Sequence, residues 1–266
     1  VYIEKFIENP HHVEFQIMAD TKGHVIHLGE RDCSIQRRNQ KVVEETPSPL
    51  IEHKFRKLRD KMGKAAVKIA ETATYTNAGT VEFIVDDKGD FYFLEMNKRI
   101  QVEHPITEEV TGIDLVRYQI MVAMGEPLKH KQGDIQFKGH AIECRINAED
   151  PYRSFAASPG RVETLAAPSG PGIRFDTMLY PGYTVPPFYD SLLGKLIVHG
   201  ADRADCLARL RTALAELTIV GIPTTVPLHL ALAADPDVSA GRFHTRFLEQ
   251  WLETAFAAPT GHKEVV

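Results

Sequence analysis

Polar and apolar side chains alternate along residues 91–105, a segment that ends at a proline. If this segment is extended, successive side chains point to opposite faces. One face then carries Leu94, Met96, Ile100 and Val102, interrupted by Lys98, and the other carries Glu95, Asn97, Arg99, Gln101 and Glu103. The second row suits the binding of an anion beside a metal ion. The same alternation is also typical of an ordinary strand with one solvent-facing side.

A second predicted strand, residues 79–86, lies just upstream, and residues 87–90 predict a four-residue hairpin loop between the two strands. Pairing Asp86 with Phe91 places Ile84 opposite Phe93 and Glu82 opposite Glu95. Like charges opposite each other destabilise a sheet unless something neutralises them. The two carboxylates and the Asn97 amide offer oxygen ligands of the kind that Mg²⁺ prefers. The sequence therefore predicts a cation at Glu82, Glu95 and Asn97.

The composition is that of a globular protein, with 43% hydrophobic and 25% charged residues in a chain of 266. This length fits one large domain or two ordinary ones. A net charge of −5 argues against generic nucleic-acid binding, and no apolar run approaches the length of a membrane span. Three widely separated cysteines, Cys33, Cys144 and Cys206, fit neither a disulfide framework nor a zinc site, which suits a reducing compartment.

Several predicted elements must position the polar residues. We expect a β-rich run at residues 1–8, strands at 12–19 and 24–30, and a helix at 53–72. The charged segment 30–45 is interpreted as a solvated, self-paired loop; the alternative is a cationic wall around phosphate. A short helix begins near residue 107, and Asp114 caps a helix at 115–124.

The turn-rich residues 133–139 predict a boundary between a portion at 9–132 and a subdomain at 133–256, with residues 1–8 as a separate strand segment and residues 257–266 as a tail. Beyond the boundary, strands are predicted at 140–150, 161–165, 172–177 and 195–199. Helices are predicted at 203–217, capped by Asp202, and around 226–232 and 246–256. The chain begins inside a strand pattern without Met, so we expect a piece of a longer protein.

Four motifs resemble the biotin carboxylases, which are ATP-grasp enzymes. They are ERDCSIQRRNQKVVEE at 30–45, EMNKRIQVEHPITE at 95–108, GHAIECRINAEDP at 139–151 and YPGYTVPPFYDSLLGKL at 180–196. The resemblance implies an α+β fold, with an ATP-grasp antiparallel sheet, flanking helices and a carboxyl-terminal biotin-carboxylase β/α subdomain. It also implies that an amino-terminal domain and a mobile lid precede Val1, so that the chain alone is not competent.

The resemblance assigns roles to individual residues. Metal binding falls to Glu82, Glu95 and Asn97, as the pairing argument also indicates. ATP binding falls to Glu4, Lys5, Phe6 and Ile7 in a hinge strand, to His12 and Gln36 near the ribose, and to Asn39, where the family often has His. Bicarbonate binding falls to Lys41, Arg99, Gln101 and the Val102 backbone. The catalytic set is Glu103 as general base, Arg145 on the ureido oxygen of biotin, Arg99 and Lys41.

The cofactors and partners implied by the resemblance are ATP, Mg²⁺ or Mn²⁺, and biotin as a substrate on a carrier protein or domain. The resemblance also implies a homodimer and a carboxyltransferase subunit, within an acetyl-CoA, propionyl-CoA or related carboxylase. We expect no nucleic acid or membrane partner, and a cytoplasmic or mitochondrial-matrix location. Two alternatives stay open: an ATP-grasp ligase with another acceptor, and a non-catalytic dimerisation module. Arg145, which alternates with Glu143 along one predicted strand, could also serve only in a cross-strand ion pair.

Overall fold

The computed structural model describes residue 3 and residues 5–257. Its strands are β1 (His11–Ala19), β2 (Val25–Arg37), β3 (Gln40–Thr46), β4 (Asn77–Val85), β5 (Phe91–Asn97), β6 (His140–Asn147), β7 (Glu149–Asp150), β8 (Ala156–Ala157), β9 (Gly160–Arg161), β10 (Thr164–Ala166), β11 (Ile173–Thr177), β12 (Thr184–Val185), β13 (Leu192–Gly200) and β14 (Thr218–Val220). Its helices are α1 (Pro49–His53), α2 (Leu58–Thr72), α3 (His104–Thr111), α4 (Leu115–Ala123), α5 (Arg203–Glu216), α6 (Val226–Ala234), α7 (Pro236–Ser239) and α8 (Phe247–Thr254).

An eight-stranded antiparallel sheet in the order β11-β13-β6-β3-β2-β1-β4-β5 organises these elements. Three two-stranded sheets, β10 with β14, β12 with β9 and β7 with β8, lie outside it. This large antiparallel sheet with helices confirms the predicted fold class. Within the described residues, no helix combines the length and the apolar character that a bilayer crossing needs.

Side-chain alternation gives the large sheet one apolar face. Phe15 of β1 and Phe83 of β4 pack with Met62 of α2, and this cluster forms one part of the core. Leu196 of β13 packs in a second cluster that includes Leu210 of α5. The intervening residues of the same strands point to the other face, where charged side chains gather.

The segment 91–105 is not one strand, and that prediction was wrong beyond Asn97. β5 ends at Asn97, the chain bends at residues 98 and 99, and α3 begins at His104. Pro105 lies in the first turn of α3, where a missing N–H costs no hydrogen bond. The predicted short helix is therefore present, but it starts earlier than residue 107.

The predicted β4–β5 register is off by one residue next to the loop and is correct at the two carboxylates. Val85, rather than Asp86, pairs with Phe91, and Phe83 pairs with Phe93. An irregularity between Glu82 and Phe83 then restores the predicted pairing of Glu82 with Glu95. A bulge inserts an extra residue on one strand, so it shifts the register by one position. Residues 86–90 form the loop, closed by a 2.9 Å bond from the Asp86 N–H to the Asp90 carbonyl.

The charged segment 30–45 is a β-hairpin, so its interpretation as a solvated loop was wrong. β2 continues to Arg37, and β3 starts at Gln40. Arg38 and Asn39 form the turn with φ of 49° and 64°, the left-handed conformation that tight hairpin turns favour. Arg31 and Lys41 pair with the buried Glu14 of β1, whereas Arg38 at the turn is exposed.

Most other predicted elements agree with the structure apart from their ends, but the strands predicted at 140–150 and 161–165 each divide into two, β6 with β7 and β9 with β10, that lie in different sheets. The helix predicted at 53–72 corresponds to α2, which begins only at Leu58, and the separate α1 ends at His53. Asp114 and Asp202 cap their helices as predicted, accepting from the backbone N–H groups of Arg117 and Asp205. Among residues 1–8, those that the structure describes form no strand, in contrast to the prediction. Strands from both sides of residues 133–139 join one sheet, and the boundary there stays a prediction.

Candidate active site

A cavity of about 610 Å³ opens on the polar face of the sheet. Predicted site residues that line it are His12, Asn39, Lys41, Glu82, Glu95, Asn97, Arg99, Gln101, Val102, Glu103 and Arg145. These residues come from β1, the β2–β3 turn, β3, β4, β5, the β5–α3 connection and β6. Since the chain brings them together from so many elements, the cavity is the candidate site.

Lys41 lies between three carboxylates. Its Nζ is 2.6 Å from Glu14 Oε2, 2.6 Å from Glu103 Oε1 and 3.1 Å from Glu82 Oε1. Burial by itself lowers the pKa of this ammonium, but the surrounding carboxylates, Glu14 first, raise it well above its ordinary value. Lys41 is therefore a fixed positive charge at the base of the cavity, suited to an anionic substrate.

Glu14 and Arg31 form a buried ion pair that the sequence analysis missed. Arg31 Nε donates to Glu14 Oε1 at 2.6 Å, and both residues are 0% exposed. Burial alone raises the pKa of Glu14, but Lys41 and Arg31 lower it to about 2. The available signal was the polar row His12, Glu14 and Gln16, which alternates with apolar residues along β1.

The three predicted metal ligands lie together. The Asn97 Nδ2 donates to Glu82 Oε1 at 2.9 Å and to Glu95 Oε1 at 3.2 Å. Gln101 Nε2 donates to the same Glu82 oxygen at 2.8 Å, and His12 Nε2 lies 3.0 Å from Glu82 Oε2. Burial raises the pKa of Glu82, but His12 and Lys41 lower it to about 2. Two carboxylates beside one side-chain amide are oxygen-bearing groups of the kind that hold a Mg²⁺ or Mn²⁺ ion.

Glu103 connects Lys41 and Arg145, two of the three cationic residues in the predicted catalytic set. It precedes α3, is 1% exposed, and accepts from Lys41 through Oε1 at 2.6 Å and from Arg145 through Oε2 at 3.0 Å. Arg145 also donates from Nε to Glu44 Oε1 at 2.6 Å. Arg145 does form a cross-strand ion pair, with Glu44 of β3, and it forms a second ion pair with Glu103 in the site.

The residues predicted for bicarbonate do not all join this network. Gln101 does, through Glu82 and through a weak 3.4 Å contact from Arg31. Arg99 lines the cavity, but it is exposed and donates to the Ile100 carbonyl at 3.2 Å. The Val102 carbonyl accepts from Lys195 Nζ at 3.0 Å. Lys195 had no assigned role, although it lies in the motif at 180–196.

The residues predicted for ATP are spread more widely. Lys5 Nζ lies 2.5 Å from the Tyr92 hydroxyl, and Phe6 is 75% exposed. Gln36 is buried opposite Lys41 in the β2–β3 pair but does not line the cavity. Glu4 lies outside the described residues. Their roles toward a nucleotide stay predictions.

Two models of known families match the chain. "Carbamoyl-phosphate synthase L chain, ATP binding domain" matches residues 1–131, and "Biotin carboxylase C-terminal domain" matches residues 143–250. The second model is the one whose description names biotin carboxylase. The chain belongs to the biotin carboxylase family.

Members of the biotin carboxylase family match nearly the whole chain. A biotin carboxylase of Nostoc sp. is 56% identical over 250 residues, which are 94% of this chain and 55% of that protein. Biotin carboxylase 1 of Bacillus subtilis is 53% identical over 252 residues, which are 94% of this chain and 55% of that protein. The chain thus spans about half the length of these relatives.

Solved structures of biotin carboxylase domains have the same fold. The biotin carboxylase domain of a thermophilic 2-oxoglutarate carboxylase bound to bicarbonate has a TM-score of 0.90 and 51% identity, covering 93% of this chain and 55% of that one. The domain dimer from Hydrogenobacter thermophilus, in complex with MgADP, ADP and bicarbonate, has a TM-score of 0.92 and 50% identity. It covers 96% of this chain and 56% of that one.

Proposed function

We propose that this chain supplies the catalytic face of an enzyme that carboxylates biotin on a carrier protein, using ATP and bicarbonate. The observation that carries the proposal is the position of Glu103, which bridges Lys41 and Arg145 at the base of the cavity. This position places one carboxylate beside both cations that we assign to the anionic substrates, within reach of a bound bicarbonate. The family and the motifs support the same activity.

In the first step Glu103 takes the proton of bicarbonate. The freed oxygen then attacks the γ-phosphorus of ATP, giving carboxyphosphate and ADP. A general base must lie within hydrogen-bonding reach of the proton it removes. Lys41, on the inner side of Glu103, provides a positive charge for the bicarbonate that Glu103 would deprotonate. Arg99 can approach the same anion from the exposed rim, because its guanidinium is bonded only weakly to a backbone carbonyl.

Glu82, Glu95 and Asn97 would hold a divalent ion against the ATP phosphates. When bound, that ion offsets the charge that builds up on the phosphoryl group during transfer. Glu82 is suited to this role because His12 and Lys41 keep it ionised. The Asn97 amide, which bonds both carboxylates, orients the pair across β4 and β5.

In the second step carboxyphosphate breaks down to carbon dioxide and phosphate. The phosphate takes the N1 proton of biotin, and N1 then attacks the carbon dioxide. Negative charge develops on the ureido oxygen of biotin during this step, and Arg145 is the donor we assign to it. A preorganised donor of this kind is worth roughly 10²–10³-fold in rate.

The substitution Arg145→Ala in the full-length protein tests the assignment. We expect biotin-dependent ATP turnover to fall by roughly 10²-fold or more, because one charged donor to the developing oxyanion is lost. The matched control is Arg242→Ala, an exposed arginine paired with Asp237 on the surface, which should keep the wild-type rate. Coupled turnover of the Arg145 variant at the wild-type rate would contradict the assignment.

Three further expectations belong to the same proposal. A biotin carrier domain and a carboxyltransferase are the implied partners, and self-association is supported by the dimeric state named for the Hydrogenobacter domain. Light scattering measures self-association directly; a strict monomer at high concentration would refute it.

The predicted cytoplasmic or matrix location also stays a proposal. The alternative acceptors are tested by turnover with ammonia or an amino acid in the absence of biotin.

A further inference from the structure

Two glutamates face each other behind Arg145, in a position that the mechanism above does not use. Glu44 of β3 and Glu143 of β6 are directly paired across the antiparallel ladder, and both are 0% exposed. Glu44 Oε1 accepts from Arg145. Glu44 Oε2 and both oxygens of Glu143 have no hydrogen-bond partner among the described residues. A buried ionised carboxylate without a partner is strongly unfavourable.

Charged and titratable groups surround this pair from every neighbouring element. They are Arg145 on β6, Lys195 on β13, Glu103 before α3, Lys41 on β3, and Cys33 on β2. Arg145 bonds Glu44, and Lys195 donates to the Val102 carbonyl. No cation among the described residues makes an ion pair with Glu143, whereas Glu44 and Arg145 compensate each other.

The negative charge of Glu44 changes the pKa of Glu143 in the same direction as burial does. Burial raises the pKa of Glu143 well above its ordinary value, and the facing Glu44 raises it further. Burial also raises the pKa of Glu44, against the effect of Arg145. Two carboxylates that share a dry site cannot both ionise, so one of them keeps its proton. Glu143 is the one without a cation.

We propose that Glu143 is a positioning residue that stays protonated in the working protein and shares its proton with Glu44. One negative charge, rather than two, then lies behind Arg145. The guanidinium is balanced between Glu44 on one side and Glu103 on the other, with the cavity in front of it. Ionisation of Glu143 would add a second negative charge behind Arg145 and draw it away from Glu103 and from the ligand.

The first test needs no enzymatic activity. The folded state raises the pKa of Glu143, so its favourable contribution is complete below the unfolded value of 4.5 and is lost as pH rises toward the folded value. Holding one extra proton lowers the folding equilibrium constant about tenfold per pH unit in that window. Glu143→Gln imitates the protonated acid and removes this dependence. Denaturant unfolding between pH 5 and pH 8 should therefore show wild type losing stability relative to the variant.

The matched control for this test is Glu216→Gln, an exposed acid at the end of α5. Its unfolding curve against pH should run parallel to that of wild type. A parallel curve for Glu143→Gln as well would overturn the proposal. If the variant does not fold, infrared spectroscopy of the wild-type protein at neutral pH replaces it. A protonated glutamate carboxyl band supports the shared proton, and its absence overturns it.

The second test rests on the proposed function, because it measures biotin-dependent turnover of the full-length protein. In wild type, ionisation of the pair at high pH should lower this turnover. In Glu143→Gln the pH at which turnover declines on the alkaline side should rise by about one unit or more, since Gln cannot ionise. An unchanged pH of this decline would refute the positioning role. Absence of biotin-dependent turnover in wild type would refute the proposed function, while the stability comparison would still test the shared proton.

Discussion

The two faces of the eight-stranded sheet are stabilised by different interactions. Lys195 and Leu196 are neighbours on β13, yet Leu196 is buried in the cluster with α5 and Lys195 donates across the other face to the Val102 carbonyl. Likewise Phe15 packs with α2, whereas its neighbour Glu14 binds Arg31 and Lys41. Alternation along a strand therefore separates a packing surface from a reactive one at a distance of one residue.

The comparison teaches that the two faces tolerate change differently. Hydrophobic burial is non-directional, so the helix-covered face needs the right volume more than a particular side chain. The buried ion pairs of the polar face depend on specific partners, since removing one member leaves the other buried and without its counter-charge. We expect substitutions on the polar face to alter stability and activity together, and those on the apolar face to alter mainly stability.

The largest effect on stability is expected for Arg31→Met. It leaves the Glu14 carboxylate buried without its guanidinium, which costs about 3–5 kcal/mol of unfolding free energy. Urea unfolding measures this loss. The matched control is Arg242→Met, whose pair with Asp237 is exposed and should contribute less than about 1 kcal/mol. Similar losses of unfolding free energy in both variants would show that the buried pair contributes no more to stability than the exposed one.

A smaller effect, with a different signature, is expected for Leu196→Ala on the apolar face. Removing this fully buried side chain should lower the unfolding free energy by about 3 kcal/mol through lost burial and a cavity. Turnover per folded molecule should stay at the wild-type level. Leu196→Met keeps the volume and should cost less than about 1.5 kcal/mol. A marked loss of turnover in the folded Ala variant would break the separation of the two faces.

The smallest expected effect on stability concerns a buried titratable residue on the helix-covered side of the sheet. His229 of α6 is buried, its Nε2 lies 2.7 Å from the Arg145 carbonyl, and burial lowers its pKa to about 4. The neutral ring is favoured in the folded state, so this contribution is complete above pH 6.5 and is lost as pH falls toward 4. The expected loss is about 2–3 kcal/mol. Unfolding curves of His229→Asn should be flatter in this window; equal slopes would contradict the prediction.

The sequence predicted the helices and strands better than the contacts between them. Asp114 and Asp202 were identified as caps because a cap depends only on residues within one turn. The strand at 91–105 was wrong beyond Asn97 because polar alternation continues through a bend that only packing defines. Glu82 and Glu95 were correctly paired, although the bulge that aligns them leaves no pattern in the sequence.

Among the site residues, most of those in motifs were gathered as predicted, whereas the buried partners of those residues were missed. Glu14 lay in a strand without an assigned role, and Arg31 was interpreted as part of a solvated loop. Glu44 and Glu143 each lie in a motif, yet their pairing required the register of β3 on β6. A motif names residue types along the chain, but it contains no distance between residues a hundred positions apart.

The sequence by itself determined the α+β class, the family and the row of residues from Glu95 to Glu103 that line the cavity. Only the tertiary structure decided that Lys41 binds Glu14, Glu82 and Glu103, and that Glu143 lies behind Arg145 with no ion-pair partner among the described residues. The physical reason is that local patterns arise from short-range backbone geometry. The charge state of a buried group depends instead on burial and on partners that distant strands bring within a few ångströms.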